Sequence, residues 1–586
     1  MPRANYPTAH LHRFDWTALS AGQVQSALDA NSGPTSATPL YGGLAGRRIN
    51  IVTDNGPALA YDFSSASQLA VSENGGMAAD AAYGALQLEH VILVSHLVPG
   101  TARGYNVVID EAAGLATVFE VWFNGEVIIG AGDARQTLDV NREAQREIYF
   151  GYIDNGGQAP EARHSRTNRI EGKGFHWTRD TGERSLELYS TVFFSHFVEL
   201  SRTGGELGFC APSDYIKIND DIYVYERTEC EFSGAMTLAV MDVNTAKQAG
   251  VRLGFNEADT LEYYLFTADG EWVGQVAQFE AFGDTTAGTV MPAPADGAPL
   301  PKGARRVYRP ARTYPKMTKA EVDAAIAEST RVFEPSAMAG NRTPPTDYLA
   351  GKTLTLRWDN GSTIEYRFDT ASQLQWRRAG ESGWRTETYE ASESMPHVIM
   401  FGHLMTGAPN HDGQIVVADF EHGLATLIHG TVGTPWYAQE TAAKTIFGVI
   451  EEEGGVNPPI YRRQQFTDEL VGRNLTWNYS PGLTSMHLYS TPNTISWIIF
   501  GADGSAGMSW AGPSQQVKIR DGLYLAYWLE EACNGTLGTI LINMRTMHDC
   551  GIGMHAGPDG LSMSPVGAHA RHAGRYDIAR FYQVKA

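Results

Sequence analysis

Four side chains at alternate positions, Tyr223, Tyr225, Arg227 and Glu229, carry the strongest hint of chemistry in the sequence. Successive side chains of a β-strand point to opposite faces, so all four would share one face. An Arg fork can hold a carboxylate bidentately, a Tyr can donate a hydrogen bond or a proton, and a Glu can serve as acid or base. Turned inward, the stripe suits cofactor-free proton transfer on a small organic molecule. Turned to solvent, it is an ordinary polar ladder, and buried without partners it would be costly. The opposite face, Ile222, Val224, Glu226 and Thr228, is apolar at one end only, so the pattern leaves both orientations open.

A second stripe follows a predicted two-residue turn at Asp521-Gly522. Simple register across that turn pairs Ile519 with Tyr524 and puts Val517, Ile519, Tyr524, Trp528 and Glu530 on one face. This face is mostly apolar around a terminal carboxylate, as a ligand pocket would be. The candidate catalytic residues are therefore Glu229, Arg227, Tyr223, Tyr225, Glu530 and Tyr524, with Trp528 as a ligand contact.

Two histidine pairs, His90 with His96 and His397 with His403, read as lying on one face of a strand each. Six residues at ~3.3 Å apiece put the members of a pair about 20 Å apart, too far to share a metal. One of each pair could serve a pocket as acid or base. Tyr61 and Tyr366, on hairpin strands, join these four histidines as candidate substrate-binding residues. A histidine satisfied by core hydrogen bonds is the competing reading. No GxGxxG, Walker loop, HExxH, GxSxG elbow or CxxC pair is present, so no cofactor and no metal are expected.

The elements that must hold these residues are repeated. LAGRRINIVTDNGPALAYDFSSASQL from Leu44 aligns with LAGKTLTLRWDNGSTIEYRFDTASQL from Leu349. HVILVSHL at His90 matches HVIMFGHL at His397, and LYST at Leu188 matches LYST at Leu488. The chain reads as a tandem duplication of an A unit followed by a B unit. The expected divisions are an arm and helix at 1–39, A1 at 40–145, B1 at 146–290, a Pro-rich basic linker and helix at 291–344, A2 at 345–443, and B2 at 444–586. Capping boxes at Ser20/Gln23 and Thr318/Glu321 predict a short helix opening each half. Alternating strands and tight turns fill the rest, so each unit is expected to be an antiparallel barrel or sandwich. The halves have diverged at the stripes, where Tyr225 aligns with Ala526 and Arg227 with Trp528.

The 586 residues carry 45 Lys and Arg against 66 Asp and Glu, a net charge of −21. That balance argues against nucleic acid as a partner. Only four cysteines occur, Cys210, Cys230, Cys533 and Cys550, and these are expected to be thiols in a reducing compartment. With no signal peptide and no apolar run long enough to span a membrane, the expectation is a cytoplasmic protein with no membrane partner.

The segments YRRQQFTDELVGRNLTWNYSPG, MHLYST, VKIRDGLYLAYWLEEACNGT and NMRTMHDCG resemble the C-terminal domain of MoaF-like proteins, labelled molybdenum cofactor biosynthesis protein F. LAGKTLTLRWDNG, PHVIMFGHLMTGAPNHD and HGLATLIHG resemble their N-terminal domain, and the first half resembles a diverged copy. The resemblance implies lipocalin- or calycin-like barrels. The expected fold is thus mainly β, with four such units in two A–B pairs. The expected function is that of a cofactor-free lyase or isomerase acting on a small aromatic or carboxylate-bearing molecule inside a barrel. The competing expectation is a non-catalytic carrier of a small molecule, tied by the family label to molybdenum cofactor biosynthesis. An internal pseudo-dimer is expected, with a homodimer as a further option.

Overall fold

The computed structural model describes residues 8–10, 19–123, 125–129, 136–191, 194–202, 205, 207–229, 233–256, 258–276, 338–408, 412–432, 441–452, 455–480, 483–501, 509–530, 536–557 and 560–582. The predicted helix at Thr318, the basic run from Lys302 to Lys316, Cys230 and Cys533 lie outside these residues.

In the first strands of each A unit buried and exposed side chains alternate, so one face turns inward. In unit A1, eight strands from Arg48–Thr53 to Gln145–Ile153 form a closed antiparallel barrel, sealed by pairs such as Gly151 with Thr53. Its interior is a cluster that includes Ile49, Tyr61, Phe63, Val94 and Tyr105. Unit B1 closes in the same way, from Lys173–Arg179 round to Leu261–Val276, whose ends pair from Lys173–Gln275 to Arg179–Ala268. Unit A2 repeats the A1 strand order from Thr353–Trp358 onward but stays open between Arg385–Thr388 and Glu390–Met395. Unit B2 runs from Arg473–Ser480 to His569–Tyr576, which pair with each other. The last strand also meets His548–Gly557 at the single pair His548–His569.

The outer faces of the barrels are apolar too, because each packs on a neighbour. One cluster joins A1 to B1, with Leu93, Val108 and Phe119 against Val224, Leu238 and Val251. Helix Ala21–Ala30 adds Val24 and Leu28 to it, and Ser20 and Gln23 form the predicted capping box. A matching cluster joins A2 to B2 through Val417 and Ile428 against Leu525 and Leu541. The two B barrels join each other through Leu186, Leu188 and Val198 against Met486, Leu488 and Ile498. Their seam continues as sheet: Gly274 pairs with Tyr576, and Val276 with Gly574. The pairing is reciprocal between equivalent positions, as two-fold symmetry demands. Gly274 and Gly574 sit at φ 134° and 133°, and a Cβ on either would press within 3 Å of a backbone oxygen across the seam. Glycine is what lets the two sheets approach there.

Two local expectations are corrected. His90 and His397 are turn residues preceding strands Val91–Leu97 and Val398–Leu404, not strand residues sharing a face with His96 and His403. His397 takes φ 65°, a conformation a strand residue would not adopt. The register of the second stripe also differs. The ladder pairs Lys518 with Tyr524 and Arg520 with Leu523, and a bulge falls between them. The extra residue moves Val517 and Ile519 to the outer face against A2, while Tyr524 and Ala526 join the interior cluster with Trp528 packed against it.

Candidate functional site

In B1 the Tyr223, Tyr225, Arg227, Glu229 stripe points into the barrel. Strand Ile222–Thr228 puts Ile222 and Val224 on the A1 side, and Tyr223 and Tyr225 among interior aromatics. Arg227 is fully buried and its guanidinium is ringed by three carboxylates and the Tyr225 hydroxyl. Nε reaches Glu229 at 3.0 Å, Nη1 reaches Glu187 at 2.7 Å and the Tyr225 hydroxyl at 3.5 Å, and Nη2 reaches Glu199 at 2.7 Å and Glu229 at 2.9 Å. A second buried arginine, Arg252, spends its donors on both Glu229 oxygens, Thr237, Ser233 and Glu262. Burial alone would raise Glu229, but Arg252 and Arg227 outweigh it and hold its carboxyl well below the usual range. Glu199, further from this double clamp, is raised by burial despite Arg227. The B1 interior is an ionic network in which both arginines are engaged by carboxylates.

B2 keeps the scaffold and replaces the network. The ladder Arg227–Thr237–Arg252 of B1 becomes Trp528–Gly538–Gly553 in B2, at the same paired positions. Glu187–Phe197 becomes His487–Trp497. Trp177, Tyr189 and Glu229 persist as Trp477, Tyr489 and Glu530. With Gly at 538, the Trp528 indole lies where a Cβ would sit, 2.4 Å from that point. The rings form a connected wall: Trp477 to His487 at 5.9 Å between centroids, His487 to Trp528 at 5.3 Å, Trp528 to Trp497 at 6.4 Å, and Trp497 to Trp510 at 6.3 Å.

Several buried polar groups of B2 lack the partners their counterparts have in B1. In B1 the Trp177 indole donates to the Tyr189 hydroxyl at 3.3 Å. In B2 neither the Trp477 indole nitrogen nor the Tyr489 hydroxyl has a partner, and both residues are fully buried. His487 Nδ1 and Asp549 Oδ2 are likewise unpartnered, although Asp549 Oδ1 accepts from the Ala568 amide at 2.6 Å. Native proteins rarely leave such groups unmet, and a ligand is one remedy. No described Lys or Arg neighbours Glu530 or Asp549. Burial therefore pushes Glu530 up to about 7, with a hydrogen bond from Trp528 opposing, and pushes Asp549 up to about 8. Tyr479, buried between the field of these two carboxyls, is raised as well. His487 is driven down to about 3 by burial and is neutral at physiological pH.

The remaining sequence candidates fall elsewhere. Tyr524 lies in the B2 interior, but its hydroxyl donates to Glu469 at 2.5 Å, toward the end remote from Glu530. In the A barrels, His96 bonds the Tyr61 hydroxyl at 3.0 Å and the Leu97 carbonyl at 3.1 Å. His403 makes the same pair of contacts with Tyr366 at 3.4 Å and Leu404 at 2.8 Å, and Tyr366 also donates to Gln414. Burial lowers both histidines to about 4, so they are neutral, each with its Nδ1–H donating to the next residue's carbonyl in the core. His90 is partly exposed, 3.6 Å from Asp110, and His397 sits at a turn packed against Tyr348. Sequence reading did not single out Trp477, His487, Tyr489, Trp497 or Trp510. The signal for them was the full B1–B2 alignment, in which Arg252 gives way to Gly553 as Arg227 gives way to Trp528.

Comparison with known proteins bears on the half that holds this site. Residues 336–434 match the MoaF N-terminal domain and residues 464–575 the MoaF C-terminal domain. Both matches fall in the second half of the chain. The B2 aromatic box thus lies in the segment that matches the MoaF C-terminal domain, and the Tyr366–His403 pair in the segment that matches the N-terminal one. Protein MoaF of Klebsiella aerogenes is 36% identical over 110 residues, which are 18% of this chain and 41% of that protein. The match spans about two fifths of the relative's length. Among solved structures, transferrin binding protein B from serogroup B Neisseria meningitidis aligns at 9% identity over 68% of this chain and 66% of its own, with a TM-score of 0.11. The LG1-3 region of the laminin alpha2 chain aligns at 10% identity over 71% and 88%, with a TM-score of 0.10. Neither score supports a shared architecture. Among the described residues, no helix is long and apolar enough to cross a membrane.

Proposed function

We propose that this MoaF-like protein acts on a small aromatic molecule inside the B2 barrel by cofactor-free acid–base chemistry, as a lyase or isomerase. The observation that carries the reading is Glu530: a carboxyl at the end of an indole wall, held near 7, where acid and base forms are both populated. A group balanced in this way can give a proton and take one back at neutral pH. Asp549, protonated to about 8, offers a second proton across the field shared with Tyr479. Glu229 is a poor counterpart, because its arginine clamp keeps it ionised and fully hydrogen-bonded. Arg227 offers no anchor for a substrate carboxylate, which favours an aromatic over a carboxylate-bearing molecule.

The test is proton exchange. Incubating the protein in D2O with a panel of small aromatic compounds should incorporate deuterium into, or eliminate a group from, at least one of them. Glu530→Gln should abolish that turnover while circular dichroism stays unchanged. Full turnover by Glu530→Gln rejects the mechanism. The indole wall itself favours a second reading, a carrier that holds its molecule unaltered, whether or not in molybdenum cofactor biosynthesis. A molecule released unchanged from the purified protein, with no exchange, would select it.

A further inference from the structure

The charges lining B2 select the ligand's own charge. Glu530 and Asp549 are the acids facing this interior, and no described Lys or Arg stands beside either. Among the described residues, an anion entering here would meet two carboxyl groups and no adjacent Lys or Arg, in the field of a chain carrying −21. A neutral molecule would leave Glu530 with Trp528 alone. A cation gains twice: a carboxylate to pair with, and indole faces whose quadrupole attracts positive charge, strongest for Trp among the aromatics. Four indoles, Trp477, Trp497, Trp510 and Trp528, stand in one connected group with His487. The unpartnered, fully buried Tyr489 hydroxyl and Asp549 Oδ2 add acceptors for an N–H donor.

We propose that B2 takes a small organic cation, an alkyl- or arylammonium, with its charged head between the Trp528 indole and the Glu530 carboxylate and its apolar body along the indole wall. This rests on B2 being the ligand-bearing barrel and adds the chemical class of what it holds. Cation binding and Glu530 ionisation are linked, so affinity rises with pH through about 7. The other titratable groups facing Glu530 do not oppose this trend. Tyr479 is raised and stays neutral, and His487 and His555 are lowered by burial and stay neutral. Asp549, ionising near 8, acts in the same direction.

Isothermal titration of the full chain with benzyltrimethylammonium, benzyl alcohol and benzoate separates the possibilities, since the first carries its charge at every pH. Benzyltrimethylammonium should bind, with affinity at pH 8 roughly tenfold that at pH 6, the ratio of ionised Glu530 for a pKa near 7. Benzyl alcohol should bind more weakly and without pH dependence, and benzoate should bind more weakly still. Glu530→Gln, with unchanged circular dichroism, should weaken the cation at least tenfold and leave benzyl alcohol as it was. Equal or tighter binding of benzoate, or a cation affinity indifferent to Glu530→Gln, overturns the charge assignment while leaving B2 as a site. Binding of none of the three overturns the B2 site as well.

Discussion

B1 and B2 are one barrel with two interiors. Both keep a tryptophan and a tyrosine at the same positions, Trp177 and Tyr189 against Trp477 and Tyr489, and both end one strand on a glutamate. In B1 that glutamate meets two arginines and loses its proton for good; in B2 it meets an indole and keeps it to about 7. The same residue becomes a structural anion or a titrating acid according to whether its cross-strand neighbours are Arg, Thr and Arg or Trp, Gly and Gly. The comparison teaches that, on one duplicated scaffold, one copy fills its interior with an ionic network and its twin with aromatic surface. The B1–B2 seam, reciprocal at Gly274 and Gly574, ties the two together.

The sharpest way to break this contrast is to take the cation out of B1. Arg227→Met leaves Glu187, Glu199 and Glu229 short of a partner in a fully buried site, and loss of one partner from such a network costs about 3–5 kcal/mol. Urea denaturation should show a transition at much lower denaturant. The pH sign follows from Glu229: its contribution to stability is present above its unfolded value of 4.5 and is lost only as pH falls through its much lower folded value. A variant as stable as the parent would show that the network is slack.

The next effect runs the other way. Asp549 is raised from 3.8 to about 8, so the unfolded chain releases its proton first and stability falls as pH climbs through that window. Asp549→Asn removes this slope and keeps an oxygen for the Ala568 amide. It should stabilise the protein by roughly 1–3 kcal/mol at pH 8 and by little at pH 4. Thermal melts at the two pH values read the difference, and equal shifts at both would contradict the assignment.

Gly538→Ala tests the space that replaced Thr237. Its Cβ would fall 2.4 Å from the Trp528 ring, so the indole must move, at a cost of about 1–3 kcal/mol. Tryptophan fluorescence should change with it; an unaltered spectrum and stability would mean that Trp528 is not held over residue 538. The smallest effect is expected in the A barrels. Tyr366→Phe removes the hydrogen bonds to His403 and Gln414, worth about 1 kcal/mol, and should leave ligand binding in B2 unaffected.

Much of this fold was legible, because strand alternation, Asp-Gly turns and the offset repeats are local signals. The capping box at Ser20 opened a helix as its spacing predicts. What the sequence could not say was which way the B1 stripe points, and the reason is physical. Both faces of strand Ile222–Thr228 are buried, one in the barrel and one against A1, so no solvent-facing side betrays the orientation. The bulge near Ile519 escaped for another reason: a one-residue slip leaves no compositional mark, yet it reverses a face. His90 and His397 look like strand residues from their apolar neighbours, and only the backbone shows the turn. Asp549 and the wall of indoles are dispersed over five strands, and what unites them is an interior without the two arginines of B1, visible once the two B units are compared position by position.

The difference between the two glutamates can be measured directly by infrared titration of the protonated carboxyl band. Between pH 5 and 9 the parent protein should lose a carbonyl band with a midpoint near 7 that is absent from Glu530→Gln, and Glu229→Gln should leave that band in place. A spectrum in which Glu530→Gln removes nothing near pH 7, or in which Glu229→Gln removes that band, would contradict the division of labour between the barrels.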